Sequence, residues 1–159
     1  MRYFVISDTH FDHAAICKYC GRPENFAELI TKHWNTMVGP DDYVIHLGDV
    51  MWGGDTHMKE LKGHKILVRG NHDHQNTSFY INRGFDFVCD SFTLYYGGLD
   101  IVFTHQPLIF HEHELNIHGH IHNSAAVETP CQLYCICLEN NGYKPELLDT
   151  IVSKFNKKS

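Results

Sequence analysis

The amino-acid sequence predicts an α/β fold. Short apolar runs that read as buried strands alternate with segments of helical periodicity, and several of these runs end at Gly, Asp, Asn or His. The chain has 159 residues, of which 43% are hydrophobic and 20% charged, as in ordinary globular proteins. No repeat, linker or low-complexity segment interrupts the pattern, so we expect one domain over residues 1–159 with no cap.

Strands followed by polar residues are predicted in the first half of the chain. Residues 3–6 form a continuous apolar run, which is typical of a strand buried on both faces. Residues 23–38 read as a helix, because their apolar side chains share one stripe, Pro23 suits the first turn and Gly39 and Pro40 end it. The other elements predicted here are strands over residues 43–47 and 65–68 and short helices over residues 56–61 and 76–83.

A hairpin, two further strands and a terminal helix are predicted in the second half. Residues 92–96 and 100–104 flank Gly97 and Gly98, which is a hairpin signal. Residues 146–155 read as a helix, because apolar side chains recur at helical spacing and lysines near its end interact favourably with the helix dipole. The remaining strands are predicted over residues 116–118 and 132–138.

Charge and composition narrow the class of protein. The formal net charge is −6, and no cluster of Lys and Arg precedes Lys157 and Lys158, which disfavours long nucleic acid as a partner. No run approaches the ~20 apolar residues of a membrane helix, and the first apolar stretch is too short for a signal peptide. Six cysteines without such a signal predict reduced thiols and a cytoplasmic location. Cys17 and Cys20 have CxxC spacing, but no second close pair completes a zinc knuckle. The sequence leaves the oligomeric state open.

Five polar motifs follow one another along the chain, mostly at the ends of apolar runs. Apart from Asp73, they supply two carboxylates, one amide and five imidazoles, which suit a pair of divalent metals plus one spare histidine, and paired metals hydrolyse phosphate esters. Because loops at the carboxyl ends of parallel strands converge, we expect these side chains to lie together. If the chain is extended at each pair, Asp8 and His10 point to one side, as do His120 and His122. The motifs are Asp8-Thr9-His10, Gly48-Asp49, Gly70-Asn71-His72-Asp73, His105 and Gly119-His120-Ile121-His122.

Each motif has a plainer interpretation when it is taken alone. Asp8 could cap a helix, and Gly48-Asp49 could be a turn. Asn71, His72 and Asp73 also suit a solvated loop. The ordered set, with its members following strands, favours metal binding over these separate interpretations.

The ordered motifs resemble those of the calcineurin-like metallophosphoesterase superfamily over residues 8–122, and in particular those of its small, stand-alone bacterial and phage members. The resemblance implies a four-layer α/β/β/α sandwich of the metallo-dependent phosphatase type. It also implies two metal sites that share Asp49 as a bridging ligand, with His72 facing the substrate. Site one would comprise Asp8, His10, Asp49 and His122, and site two Asp49, Asn71, His105 and His120.

The expected cofactor is a pair of divalent metal ions. Oxygen and imidazole donors without a thiolate suit manganese, which is our first choice, or iron or zinc. We expect a metal-bridging hydroxide to attack a small phosphate mono- or diester in line. His72 would act as general acid or as hydrogen-bond donor to the phosphate, and the alternative is that it only orients Asn71.

Departures from the family pattern refine these expectations. Protein Ser/Thr phosphatases of the superfamily carry an Asp and an Arg soon after the Gly-Asp motif, but in the stretch 48–54 of this sequence neither follows Asp49. Protein phosphatase activity is therefore disfavoured, and His72 has no assigned orienting partner. His13 and Arg22 are the candidate phosphate-binding residues, although Arg22 could equally be a surface charge before a helix. His118 is a candidate for supporting the neighbouring metal ligands. His111 and His113 are expected on a loop at the rim of the site, and a third metal site there is the less favoured alternative.

Two other functions stay open at this stage. A nuclease of the same superfamily would act on DNA or RNA, but such enzymes carry an added DNA-binding domain and a basic surface, which this sequence lacks. A non-catalytic scaffold of the same fold would have lost metal ligands, whereas every ligand position is filled here. The expected partner is a small phosphate ester rather than a membrane or long nucleic acid.

Overall fold

The protein folds into two β-sheets flanked by helices, which confirms the predicted α/β sandwich class. The structure is a computed structural model, and it describes residues 1–53 and 57–156. Within these ranges the strands are β1 Tyr3–Ile6, β2 Tyr43–His46, β3 His64–Val68, β4 Phe87–Cys89, β5 Phe92–Tyr96, β6 Leu99–Phe103, β7 Leu115–His118, β8 Leu133–Cys135 and β9 Glu146–Leu147. The α-helices are α1 Ile16–Cys20, α2 Phe26–Met37, α3 Thr77–Ile81 and α4 Leu148–Phe155, and short 3-10 helices span Met58–Glu60 and Leu138–Asn140.

Parallel strands in both sheets end at a common edge. The first sheet has the order β4-β3-β2-β1-β9, in which β1 to β4 are parallel and β9 runs antiparallel to β1. Ile6 pairs with His46, which pairs in turn with Leu67, so the loops after these three strands leave side by side. The second sheet has the order β5-β6-β7-β8, with β6, β7 and β8 parallel and β5 forming the predicted hairpin with β6.

Strand β1 is buried on both faces, as its continuous apolar run predicts. Phe4 and Ile6 belong to the core that packs against α2, whereas Val5 belongs to the core shared with the second sheet. Helix α2 forms because its apolar residues recur every four positions and face β1; they are Phe26, Ile30 and Trp34. The other core joins the two sheets and includes the apolar residues of α4, which are Leu148, Ile151 and Val152.

Several predicted boundaries differ from the structure. The predicted helix over residues 146–155 begins with the two-residue strand β9, because Leu147 pairs with Phe4 at the open edge of the sheet. The predicted strand over residues 132–138 is shortened to β8 by the 3-10 helix that follows. The predicted helix over 56–61 is a 3-10 helix at Met58–Glu60, and residue 56 lies outside the described residues. Helix α1 and strand β4, which were not predicted, are short and lack a periodic apolar pattern.

No helix in the described part of the chain is both long enough and apolar enough to cross a lipid bilayer.

Candidate metal centre

The predicted ligand residues converge at the carboxyl edge of the parallel strands. Two clusters of metal-capable side chains form there, the Asp8 cluster (Asp8, His10 and His122) and the Asp49 cluster (Asp49, His105 and His120). Asn71 joins the Asp49 cluster, because its Oδ1 lies 2.9 Å from Nε2 of His105. Strand ends from both sheets therefore deliver these side chains to one place, as parallel-strand geometry predicts.

The backbone that carries these side chains is left-handed and not extended. Five of the predicted ligands have positive φ angles: Asp8 at 56°, His10 at 46°, Asp49 at 55°, His120 at 70° and His122 at 49°. The expectation of extended pairs at residues 8 and 10 and at 120 and 122 is therefore wrong, because strands β1 and β7 end before these residues. Such conformations cost about 1–3 kcal/mol each in residues other than glycine and concentrate at functional sites.

Two glycines allow the loops to approach the acidic side chains. A Cβ on Gly70 would collide with the Oδ1 and backbone nitrogen of Asp49, and a Cβ on Gly119 would collide with Oδ2 of Asp8. The backbones after β3 and β7 can therefore lie directly against the two carboxylates only when these positions carry no side chain.

The Asp49 cluster brings nitrogen and oxygen atoms that can act as acceptors close together. Nδ1 of His105 donates to the carbonyl of Leu47 at 2.7 Å, so a neutral His105 has its lone pair on Nε2. That Nε2 lies 2.9 Å from Oδ1 of Asn71, which also accepts, and 3.5 Å from Oδ2 of Asp49. Nδ1 of His120 lies 3.1 Å from the same Nε2. A cation would supply the positive charge that these converging acceptors lack.

The Asp8 cluster contains buried polar atoms with no hydrogen-bond partner among the residues that the structure describes. These atoms are Oδ1 of Asp8 and Nε2 of His10, which lie 3.9 Å apart. Nε2 of His122 lies 3.7 Å from the same Asp8 oxygen. Burial lowers the pKa of His10 to about 3, so its imidazole is neutral and can donate a lone pair. Buried polar atoms without partners are costly, and a bound metal would satisfy both, so these residues fit the implied metal.

Asp49 lies between the two clusters. Its Oδ2 is 3.5 Å from Nε2 of His105 and 3.7 Å from Nε2 of His10, so one carboxylate oxygen faces imidazoles of both clusters. Its Oδ1 accepts the backbone N–H of His72 at 2.9 Å, which fixes the orientation of the carboxylate.

Glu139 supports the Asp8 cluster and was not predicted from the sequence. Its Oε1 lies 3.1 Å from Nδ1 of His122, which leaves Nε2 of that imidazole free to face Asp8. Burial works against the imidazolium of His122, but the hydrogen bond with Glu139 and the charge of Asp8 outweigh it and raise the pKa of His122. Glu139 follows β8 in the 3-10 helix Leu138–Asn140, so an acidic residue after an apolar strand was the only signal in the sequence.

Arg22 does not face a substrate, and the prediction that it grips phosphate is wrong. Its side chain is fully buried, and all three guanidinium nitrogens are engaged. Nε donates to Glu139 at 2.7 Å, Nη2 to the carbonyl of Asp8 at 2.7 Å and Nη1 to the carbonyl of Thr9 at 3.1 Å. Arg22 therefore joins the loop after β1 to Glu139 and so helps to position the Asp8 cluster.

Asp73 holds the loops after β2 and β3 together. Its Oδ2 accepts the backbone N–H groups of Asp49 at 2.7 Å and Gly70 at 2.8 Å, and its Oδ1 accepts that of Val50 at 3.2 Å. Burial raises the pKa of Asp73, although the three N–H groups oppose this shift. Asp73 belongs to the third sequence motif, but no role was predicted for it.

The face of the centre that opens to solvent carries His72, His13 and Trp52. Nε2 of His72 lies 4.0 Å from Oδ2 of Asp49, and its side chain is 39% exposed. The Trp52 ring stacks on His13 with centroids 4.4 Å apart and lies 4.9 Å from the His72 ring. Burial lowers the pKa of His13, and its Nδ1 has no hydrogen-bond partner in the described part of the chain. The structure thus brings His72 and His13 to the same opening. The Trp52 ring contacts both of them, and it was not among the predicted site residues.

The remaining histidine candidates lie around the centre. His118 is buried, and its Nδ1 donates to the carbonyl of Gly119 at 2.9 Å, which supports the turn that carries His120. His113 pairs with Asp100 at 2.7 Å. The clusters found in the described ranges do not include His111 or His113, but Cys20 forms a third cluster with His122 and Glu139.

Comparisons with known proteins agree with this architecture. A family model described as calcineurin-like phosphoesterase matches residues 1–142. An uncharacterized protein of Methanocaldococcus jannaschii is 31% identical over 176 residues, which cover 98% of this chain and 92% of the relative. The crystal structure of a protein of unknown function from Aquifex aeolicus is 27% identical, with a TM-score of 0.80 over 96% of this chain and 98% of that one. The structure of a novel archaeal phosphodiesterase is 20% identical, with a TM-score of 0.52 over 86% and 82%, which shows a similar fold alone.

Proposed function

Because the chain belongs to the calcineurin-like phosphoesterase family, we propose that it uses two divalent metal ions to hydrolyse a small phosphate mono- or diester. The observation that carries this proposal is the pair of clusters on either side of Asp49, whose acceptor atoms face one another. Oxygen and imidazole donors of this kind suit manganese, iron or zinc, and manganese is our first choice.

The two clusters would divide the metals as follows. Asp8, His10 and His122 would hold one ion, Asn71, His105 and His120 would hold the other, and Asp49 would contact both. When bound, such a pair of metals supplies an activated water and neutralises charge on the phosphoryl oxygens during in-line displacement. Two divalent ions and two carboxylates leave a net charge of about +2, which attracts a phosphate ester.

The side chains at the opening would act on the substrate. His72 lies beside Asp49 and is partly exposed, so it can donate a hydrogen bond or a proton to the oxygen of the leaving group. Two contacts restrain the position of His72: its backbone N–H donates to Asp49, and its ring lies against the Trp52 ring. His13, stacked on the other side of Trp52, is our candidate for a second contact to the phosphate.

Hydrolysis of a panel of esters by the metal-reconstituted protein tests this function. The panel comprises aryl phosphate mono- and diesters, nucleotides and cyclic nucleotides, each with manganese and with a chelator. We expect manganese-dependent release of alcohol or phenol from at least one small ester. A protein that holds both metals and cleaves no ester would overturn the proposal and favour a scaffold.

Binding and cleavage of duplex DNA, measured beside the panel, decide between small esters and long nucleic acid. The formal charge of −6 supports the small ester, because binding to duplex DNA needs many phosphate contacts from Lys and Arg. We expect weak duplex binding at physiological salt. Tight binding with efficient strand cleavage would make the nuclease the better description.

A further inference from the structure

A pocket with aromatic walls opens beside His72. It has a volume of about 300 Å³ and is lined by side chains that include Met51, Trp52, His72 and Phe79. This volume is at the lower end of the range for small-molecule sites, where one ring system and its substituents fit. Since His72 belongs both to the pocket wall and to the surroundings of Asp49, a molecule bound at the metal centre can extend into the pocket.

The Trp52 ring is both exposed and fixed in position. It is 48% exposed, although large aromatic side chains are usually more buried. The His13 ring stacks on it at an interplanar angle of 14°, and the His72 ring lies 4.9 Å away. A ring held between two others loses little conformational freedom when a ligand stacks on it, so it is a preorganised platform.

The charge of the pocket suits a ligand that carries a phosphate. The described residues that line it include His72, His74 and Gln75, which offer hydrogen-bonding groups, and no carboxylate. Phe79 forms another apolar wall, and the guanidinium of Arg83 lies 3.5 Å from its ring, which holds that ring in place. An anionic ester with an apolar, flat substituent therefore meets no negatively charged side chain among the described residues of the lining.

We propose that this pocket binds a flat aromatic group, a nucleobase or an aryl ring, that belongs to the phosphate ester bound at the neighbouring centre. The proposal rests on the proposed function for the position of the phosphate. It narrows the substrate class to esters with an aromatic substituent, seated against Trp52 on the side of His72. Stacking of one base on an aromatic side chain is worth enough to change affinity by about tenfold or more.

Binding of two uncleavable analogues to the manganese-loaded protein tests the pocket. The probes are the phosphonate analogues of adenosine monophosphate and of ribose phosphate, which differ only in the base. We expect the adenosine analogue to bind about tenfold or more tightly than the ribose analogue by calorimetry. It should also quench tryptophan emission, because one of the two tryptophans, Trp34, is buried in the core and Trp52 is exposed.

Substitutions separate stacking from a merely structural role of Trp52. Trp52→Leu should weaken binding of the adenosine analogue about tenfold or more beyond any change for the ribose analogue, which removes the preference, because only the adenosine analogue stacks on this ring. Trp52→Phe should retain most of the preference, and Tyr95→Leu, which removes an exposed aromatic ring on β5, should retain all of it. Three results would each contradict binding of an aromatic group in this pocket. They are no preference in the wild type, a preference that survives Trp52→Leu, and equal weakening of both analogues by Trp52→Leu.

Turnover of a bis-aryl phosphate distinguishes failure of the pocket proposal from failure of the proposed function. If the wild type hydrolyses this ester but shows no preference between the analogues, the pocket is wrong and the esterase stands. If both metals are bound and neither this ester nor any other ester of the panel is cleaved, the proposed function fails whatever the analogues do.

Discussion

The carboxylate of Asp73 accepts the backbone N–H of Asp49 across 2.7 Å. The same oxygen accepts the N–H of Gly70, so one side chain joins the loop after β2 to the loop after β3. Asp49 and Asn71 come from these two loops, and their distance depends on this junction. Asp73 therefore acts on the centre through the backbone and not through its own contact with a metal or substrate.

We predict that Asp73→Asn destabilises the protein and weakens metal binding. The amide would present its own N–H groups to backbone N–H groups, leaving buried donors unpaired at a cost of roughly 1–3 kcal/mol in unfolding free energy. Urea unfolding of the metal-free protein measures this change, and Asp90→Asn, at an exposed carboxylate, is the control. Equal stability of the two variants would show that Asp73 does not hold the loops.

The sequence predicted where the centre lies but not how the backbone forms it. The positions of Asp8, Asn71 and His105 follow from local patterns, because each stands after a predicted strand and parallel strands end together. The contact of Glu139 with Arg22 joins residues 117 positions apart, and nothing local in the sequence indicates it. Arg22, which was predicted either to bind phosphate or to be a surface charge before α2, is buried for the same reason.

Backbone conformation was the second feature that the sequence did not reveal. The spacing of Asp8 and His10 matched an extended chain, but both residues are left-handed. Tertiary contacts impose this conformation: the N–H of Asp8 donates to Gly48 and that of His10 to Asp49, which pulls the loop across the end of β2. A pattern of residue types carries no information about such long-range hydrogen bonds.

We predict that Asp49→Asn lowers metal occupancy at both sites. Asp49 Oδ2 faces imidazoles of both clusters, and an amide in its place has a single acceptor oxygen and no charge. Elemental analysis should find two transition-metal ions in the wild type purified without chelator and fewer in the variant. Full occupancy in Asp49→Asn, or at most one ion in the wild type, would contradict a shared bridging ligand.

His72→Ala and His122→Ala should lose activity for different reasons. We expect His72→Ala to keep its metals and lose about 10²- to 10⁴-fold in turnover, the usual contribution of a positioned acid. His122→Ala should lose metal from the Asp8 cluster, with activity recovering in part at high metal concentration. Metal content and kcat, measured on the same preparations, separate the two effects. A metal-depleted His72→Ala protein, or one with wild-type turnover, would contradict the division of roles.

Glu139→Gln should weaken metal binding at the Asp8 cluster alone. Glu139 accepts from both His122 and Arg22, and removal of such a partner of a histidine ligand costs about 10- to 100-fold in metal affinity. Competition with a chelator measures the affinity of each ion. Glu146→Gln, whose carboxylate pairs with Lys154 away from the centre, is the matched control. Unchanged affinity in Glu139→Gln would mean that Glu139 does not orient the ligand.

Stability of the metal-free protein should fall as the pH drops from about 6.5 to about 3. Nδ1 of His46 accepts the N–H of Gly48 at 3.1 Å, and Nε2 contacts the hydroxyl of Thr9 at 2.9 Å, so the buried imidazole is neutral. Burial lowers the pKa of His46 from 6.5 to about 3 and also lowers that of His10 to about 3. The unfolded chain therefore binds protons in this interval that the folded chain does not, and each such histidine contributes up to about 1.4 kcal/mol per pH unit.

The sign and origin of this pH dependence can be measured directly. The stabilisation is fully present above pH 6.5 and is lost as the pH falls towards the folded value of about 3. Urea unfolding across this range should therefore give a free energy that rises with pH and then levels. His46→Gln should be less stable at neutral pH, since it disturbs both hydrogen bonds, but its slope should be smaller by about one proton. His64→Gln, at a half-exposed site, is the control. An unchanged slope in His46→Gln would show that His46 does not carry the effect.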